Sequence, residues 1–347
     1  MKRIVFAVLA ALVLLVSGVG CAQPGREVVN VYNWGEYIDE SLLRDFERQT
    51  GIRVNYQTFA TNEEMYANLR LGGADYDVII PSDYMISRLI DEDMLEKPDF
   101  SNIPNYSMVG GEFKNREHDP TGEYSVAYMW GTIVLIYNST MVDEDIDSWG
   151  AMFDERYAGN IVMVDNPRDA FGIALKYLGY SLNTTDDAEL LEAFDLLMSQ
   201  SPLLKGWVTD TIFDVMEGGN AAIGVYYAGD FITMRDSNPD LRAVLPLEGS
   251  NVFIDAMCIP KGAANKTNAE KFINFMTSTE AALRNMEAIG YVSSNTEAAE
   301  IFRGELDEED LFMLFPDEEI LARCEVFKNL PRATLERYDE LWRMLRI

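Results

Sequence analysis

Along the chain, apolar residues fall into two alternating rhythms. Residues 28–33 are rich in β-branched and aromatic side chains and predict a strand. Leu42, Leu43 and Phe46 then recur at helical spacing until Gly51. Residues 52–59 predict a second strand and 63–71 a helix closed by Gly72 and Gly73. Residues 77–81 form a compact buried strand, and 84–95 a helix with Ile86, Leu89 and Ile90 on one face. This repetition predicts an α/β fold with a parallel sheet flanked by helices. In such a sheet, ligands bind beyond the carboxyl ends of the strands.

A second α/β series follows. Residues 124–137 form a long extended run, 161–164 a strand, 170–178 and 190–198 helices, and 221–227 another strand. A further apolar run, 252–259, ends at Pro260; residues 271–288 read as one long amphipathic helix and 334–345 as a final one. The runs 124–137 and 252–259 are long enough to cross between lobes, so they predict a two-lobed molecule with paired crossovers. No internal repeat and no low-complexity linker appears, which predicts lobes hinged tightly against each other.

The first twenty residues break this rhythm. Lys2 and Arg3 precede an unbroken apolar run over 4–16. That run is shorter than the about 20 residues a bilayer span needs and suits a secretory signal peptide over 1–20. It ends in Ser17-Gly18-Val19-Gly20-Cys21, which resembles the lipobox of bacterial lipoproteins, with Gly18 where the pattern has leucine. The resemblance implies acylation of Cys21 and a membrane anchor through it; the competing reading is plain cleavage near Ala22. Either way the rest of the chain is expected in the periplasm or cell envelope.

Charge narrows the partners. Against 28 basic side chains stand 58 acidic ones, a net charge of −30, within an ordinary globular composition of 48% hydrophobic residues. A polyanion repels nucleic-acid phosphate, so no nucleic-acid partner is expected, whereas cations are attracted. Beyond Cys21, Cys258 and Cys324 are expected as separate buried thiols rather than a disulfide. The sole histidine, His118, lies in a polar loop; without clustered cysteines it excludes the usual zinc sites and weakens histidine-based hydrolysis. No nucleotide-binding glycine loop or nucleophile elbow is present. The expectation is a monomer with no catalytic residues, no metal and no cofactor.

Aromatic and acidic residues then arrive together at predicted strand ends: Trp34 and Tyr37, Ser82 and Tyr84, Asp169, Tyr227 and Asp230, Phe253 and Asp255, and Tyr291. Asp169 and Asp230 also suit helix N-caps. An aromatic box closed by carboxylates fits an aliphatic ammonium ion, because rings cover methylenes and offer cation–π contact while carboxylates make charge-assisted hydrogen bonds.

The runs Tyr32-Asn33-Trp34-Gly35-Glu36-Tyr37, Thr61-Asn62-Glu63-Glu64-Met65-Tyr66, Tyr76-Asp77-Val78-Ile79-Ile80-Pro81-Ser82 and Ile289-Gly290-Tyr291 resemble the spermidine/putrescine-binding proteins of polyamine ABC importers. The similarity extends from Val28 to the C-terminal helix. It implies a periplasmic-binding-protein-like fold of type II: two αβ lobes, 27–133 with 256–294 and 134–255 with 295–347, joined by two crossover strands around a ligand cleft. It implies ligand walls at Trp34, Tyr37, Ser82, Tyr84, Tyr227, Phe253 and Tyr291, with Glu36 nearby, and anchoring carboxylates at Asp169 and Asp255. Its function would be to capture putrescine or spermidine, close by hinge bending and deliver the ligand to the membrane permease of an ABC importer.

Departures from that pattern leave the ligand preference open. Spermidine-preferring members carry Trp at the positions of Tyr227 and Phe253, an acid at Asn166 and Gln at Phe327. Putrescine-preferring members share Phe253 and the Asp230 of Ala228-Gly229-Asp230. Gly35 replaces a hydroxyl residue of both types. The balance leans to putrescine, with spermidine also bound. Alternatives are a polyamine-sensing receptor, or the same fold binding another small cation. Iron held by Tyr226 and Tyr227 is disfavoured because strand neighbours point to opposite faces. The acidic stretch 305–319 is expected as a solvated face.

Overall fold

A computed structural model describes residues 27–72 and 75–346; the signal segment and Cys21 lie outside them. The first lobe opens with β1 (Val28–Trp34), α1 (Glu40–Thr50), β2 (Arg53–Phe59), α2 (Asn62–Leu71), β3 (Val78–Ile79), α3 (Asp83–Asp91) and β4 (Leu95–Glu96). Local chemistry sets these boundaries. Asp39 accepts the Ser41 N–H at the start of α1, and Gly51 ends it in the left-handed region at φ 75°; Thr61 accepts the Glu64 N–H at the start of α2.

The chain then enters β5 (Ser125–Asn138), which leads to β6 (Ile161–Val164), α4 (Pro167–Leu178), α5 (Asp187–Gln200), β7 (Leu204–Val208), α6 (Ile212–Glu217), β8 (Ile223–Tyr227), α7 (Ala228–Ser237) and β9 (Leu241–Val244). After β10 (Val252–Pro260) come α8 (Lys266–Met276), α9 (Thr279–Ile289), β11 (Val292–Ser293), α10 (Thr296–Arg303), α11 (Glu308–Leu314), α12 (Glu318–Leu321) and α13 (Arg332–Leu345).

Strand order explains the two lobes. β2-β1-β3-β10-β5 forms one sheet and β5-β8-β6-β7 the other, so β5 belongs to both. Residues 125–132 of β5 pair with β10, and from Ile133 onwards the pairing passes to β8 and β9. The return crossing runs from β9 through residues 245–251 into β10. The sheets are mixed rather than parallel: β1, β2 and β3 are parallel, but β10 arrives from the other lobe and lies antiparallel between β3 and β5. That pairing starts at Val252, ahead of the expected boundary at 255/256, and α10 packs on α9 and β11 of the first lobe beyond residue 294.

Three further differences from the sequence reading have local causes. The helix expected over 271–288 is two helices, because Ser278 leaves the helical conformation and its Oγ caps the N–H of Ala281. His118 lies in its polar loop but is buried there, and burial lowers its pKa to about 4. The acidic stretch 305–319 is not wholly solvated: Arg235, at the last turn of α7, forms ion pairs with Asp307, Glu309 and Asp310 of the α11 region. Cys258 is buried and Cys324 half-buried, both as free thiols. Among the described residues, no helix is long and apolar enough to cross a membrane.

Candidate functional site

The carboxyl ends of the strands in both sheets face one another across a cleft of about 820 Å³, its open mouth included. All the residues expected at the site line it except Glu36. That residue sits beside the cleft on an exposed turn at φ 46°, where its charge still reaches Asp230. Trp34 ends β1, held by its indole N–H to the Ile80 carbonyl at 2.8 Å and tilted on Phe59 at 4.6 Å. Ser82 opens α3 without capping it; its Oγ instead accepts from Asn62 Nδ2 at 3.1 Å.

Neither Asp169 nor Asp230 is an N-cap. Asn166 caps α4 by accepting the Arg168 N–H, which leaves Asp169 in the first turn with its carboxylate free to face the cleft. Tyr227 occupies the cap position of α7 with extended backbone, and Asp230 lies in the turn that follows. Asp255 comes from the crossover strand β10, beside Phe253.

Each of these carboxylates is met by a phenol. Tyr37 donates to Asp255 Oδ2 at 2.8 Å, Tyr227 to Asp169 Oδ2 at 2.8 Å and Tyr291 to Asp230 Oδ2 at 2.7 Å. A fourth pair, missed in the sequence, joins Tyr226 to Asp210 Oδ1 at 2.9 Å. Tyr226 and Tyr227 thus both border the cleft although strand neighbours were expected on opposite faces. β8 ends at Tyr227 and the chain turns into α7, so the alternation stops there. Their hydroxyls serve different carboxylates. Tyr84 extends the pattern outwards by donating to Glu63 Oε1 at 2.9 Å.

Burial governs the protonation of this cluster. Desolvation pushes Asp255 up to about 6, against hydrogen bonds from Ser82 and Tyr37, and Asp169 up to about 7, against that from Tyr227. Asp230 is raised well above the carboxylate range by burial, with the charges of Asp210 and Glu36 adding to it. Asp83, also missed, is fully buried and raised to about 8; its carboxylate accepts the Tyr84 and Ile254 N–H groups and ties α3 to β10. Asp255 Oδ1 is buried and makes no hydrogen bond among the described residues. A buried carboxylate oxygen in that condition is costly unless a donor meets it.

The rings complete the box. Tyr37 meets Tyr291 edge-on at 4.7 Å, and Tyr227 meets Phe253 at 5.4 Å. Asn166 and Phe327, where the chain departs from the resembled pattern, line the same cleft. Arg168 is the one cation in the lining. Among the described residues it forms no ion pair with the carboxylates, its guanidinium 4.4 Å from the Phe327 ring centre and donating to the Lys328 carbonyl and to Asn183, although its charge still favours ionised Asp169.

The lobes touch across this cleft. Besides the Tyr291–Asp230 bond, Lys328 pairs with Glu117 and Asn329 donates to Asp91. Behind the cleft, a Cβ on Gly229 would run into the Tyr291 ring, and one on Gly290 into the Gly229 carbonyl. Only bare backbone fits there.

Three comparisons bear on the chain. A family model of bacterial extracellular solute-binding proteins matches residues 41–309. The spermidine/putrescine-binding periplasmic protein of Escherichia coli (strain K12) is 33% identical over 318 residues, covering 91% of this chain and 90% of its own. Among solved structures, a spermidine/putrescine ABC transporter substrate-binding protein from Streptococcus pneumoniae superposes with a TM-score of 0.76 at 39% identity, covering 92% of this chain and 100% of that one. A lipoprotein of Treponema pallidum does so with a TM-score of 0.81 at 28% identity, covering 92% and 99%.

Proposed function

The chain belongs to the family of spermidine/putrescine-binding periplasmic proteins, and on that footing we propose that it captures a polyamine in the cleft and passes it to the membrane permease of an ABC importer. The observation that carries this reading is a set of buried carboxylates that, among the described residues, have phenols as partners and no ion pair, one of whose oxygens, Asp255 Oδ1, makes no hydrogen bond. An ammonium ion supplies what is missing: three N–H donors and a positive charge, on an aliphatic chain that Trp34, Tyr37, Tyr227, Phe253 and Tyr291 can enclose.

Each element then has a part. Asp255 and Asp169 bind ammonium groups, and Asp230 adds a third carboxylate from α7. Tyr37, Tyr227 and Tyr291 hold those carboxylates in place and cover the methylenes, while Trp34 and Phe253 form walls. Ser82 and Tyr84 border the first-lobe side. Hinge bending about β5 and the 245–251 crossing opens and closes the cleft, and no bond is made or broken. Cys21, in its lipobox-like setting, anchors the mature protein to the membrane, in keeping with the lipoprotein status of the Treponema relative.

Calorimetric titration of residues 27–347, unfolded and refolded to strip retained ligand, tests this. Saturable heat with putrescine or spermidine is expected; no heat with either, from protein that has regained its fold, overturns the reading.

A further inference from the structure

The loop after β7 places a carboxylate where nothing in the sequence pattern called for one. Asp210 lines the cleft from the second lobe, and its Oδ1 is fixed by the Tyr226 hydroxyl at 2.9 Å. Its Oδ2 points across to the first lobe. It ends where the β-carbon of residue 35 would be in any residue but glycine. Gly35 therefore does not serve backbone freedom, since its φ is not positive; it clears the space that Asp210 fills. The same carboxylate lies close enough to Asp230 for its charge to raise that residue's pKa.

Resting on the polyamine reading above, we propose that Asp210 is a specificity-determining residue that selects triamines such as spermidine over diamines. The reason is charge matching. Four Tyr–Asp pairs face the cleft, so a diamine leaves two carboxylates without a countercharge and a triamine only one. Geometry agrees: Asp210 is exposed at the mouth, while Asp169, Asp230 and Asp255 are buried. A longer ligand reaching out past Asp230 meets it, and a short one held deeper does not. This reverses the leaning towards putrescine drawn from Phe253 and Asp230 alone.

The test compares putrescine and spermidine affinities by calorimetry for the wild-type protein, Asp210→Asn and Gly35→Ala. Asp210→Asn removes the charge and keeps the shape. Gly35→Ala keeps the charge but drives a flexible carboxylate from its seat, with no backbone strain. Both are expected to weaken spermidine about tenfold, as loss of one charged hydrogen bond does, and to change putrescine less than about twofold. Raising the ionic strength should shrink the Asp210→Asn effect, because the site is at the rim. Equal changes for both ligands, or none, overturn the inference while leaving the polyamine reading intact. Wild-type protein that binds neither ligand overturns both.

Discussion

Helix α7 carries an acidic cluster at each end, and the two behave oppositely. At its last turn, Arg235 gathers Asp307, Glu309 and Asp310 into ion pairs, so that cluster is neutralised from within the chain. At its first turn, Asp230 joins Asp210, and both accept only from tyrosines. Among the described residues no cation pairs with the second cluster, although both are built from acidic side chains. A run of acids is thus a poor guide to a binding site; the informative feature is whether the fold provides the countercharge. Phenols suit the ligand-facing cluster because they satisfy a carboxylate by hydrogen bonding without cancelling its charge.

The sharpest way to break this contrast is to neutralise the ligand-facing side. Asp255→Asn should weaken polyamine binding by about 2–5 kcal/mol, because one ammonium loses its charged partner in a buried site. Wild-type affinity in a titration would remove Asp255 from the site. At the other end of the helix, Arg235→Ala should leave ligand affinity within about threefold while lowering unfolding stability by about 2 kcal/mol, since buried Asp310 loses its ion-pair partner. Chemical denaturation alongside titration checks both halves; a loss of binding without a loss of stability would show that the two clusters are not separate.

Proton linkage should distinguish them as well. The folded pKa values of Asp255 and Asp169, about 6 and 7, lie above the unfolded value of about 3.9. The empty protein therefore holds protons that the unfolded chain releases. The stability they contribute is fully present below about pH 4 and is lost as pH rises through 6 to 7. An ammonium ligand that requires both carboxylates ionised should expel protons on binding, and affinity should rise about a thousandfold between pH 5 and 8. Titration in buffers of different ionisation enthalpy measures that release; a pH-independent affinity with no proton release would contradict it. The smallest effect expected is that of Tyr291→Phe. It removes one hydrogen bond to Asp230 and should cost about 1 kcal/mol of affinity, read as a faster ligand off-rate in stopped flow; an unchanged rate would show that this bond does not hold the cleft shut.

Much of the scaffold was legible because period and punctuation carry it. Val28–Trp34, Glu40–Thr50 and Ile161–Val164 follow directly from β-branched runs, a helical stripe and its glycine stop. Sheet direction was not legible: whether β10 lies parallel or antiparallel depends on the lobe from which it arrives. Ser278 interrupts an otherwise continuous amphipathic stripe, and a single capping hydroxyl is a weak signal against that periodicity. At the cleft, strand ends identified residues that line it, but Asp210 escaped because β7 (Leu-Lys-Gly-Trp-Val) has too little alternation to be recognised as a strand. Had it been, an aspartate just beyond its carboxyl end would have been a candidate by the same rule. Asp83 hid in plain view next to Ser82 and Tyr84, where it looked like an ordinary first-turn acid.

The bare contact between Gly229 and Gly290 has a consequence for timing. The Tyr291 ring lies directly against the Gly229 backbone there, and its hydroxyl bonds Asp230 across the cleft, so any side chain at 229 must displace that phenol. A single methyl at position 229 is expected to shorten the residence time of the ligand by pushing Tyr291 off Asp230, without altering the chemistry of any cleft side chain.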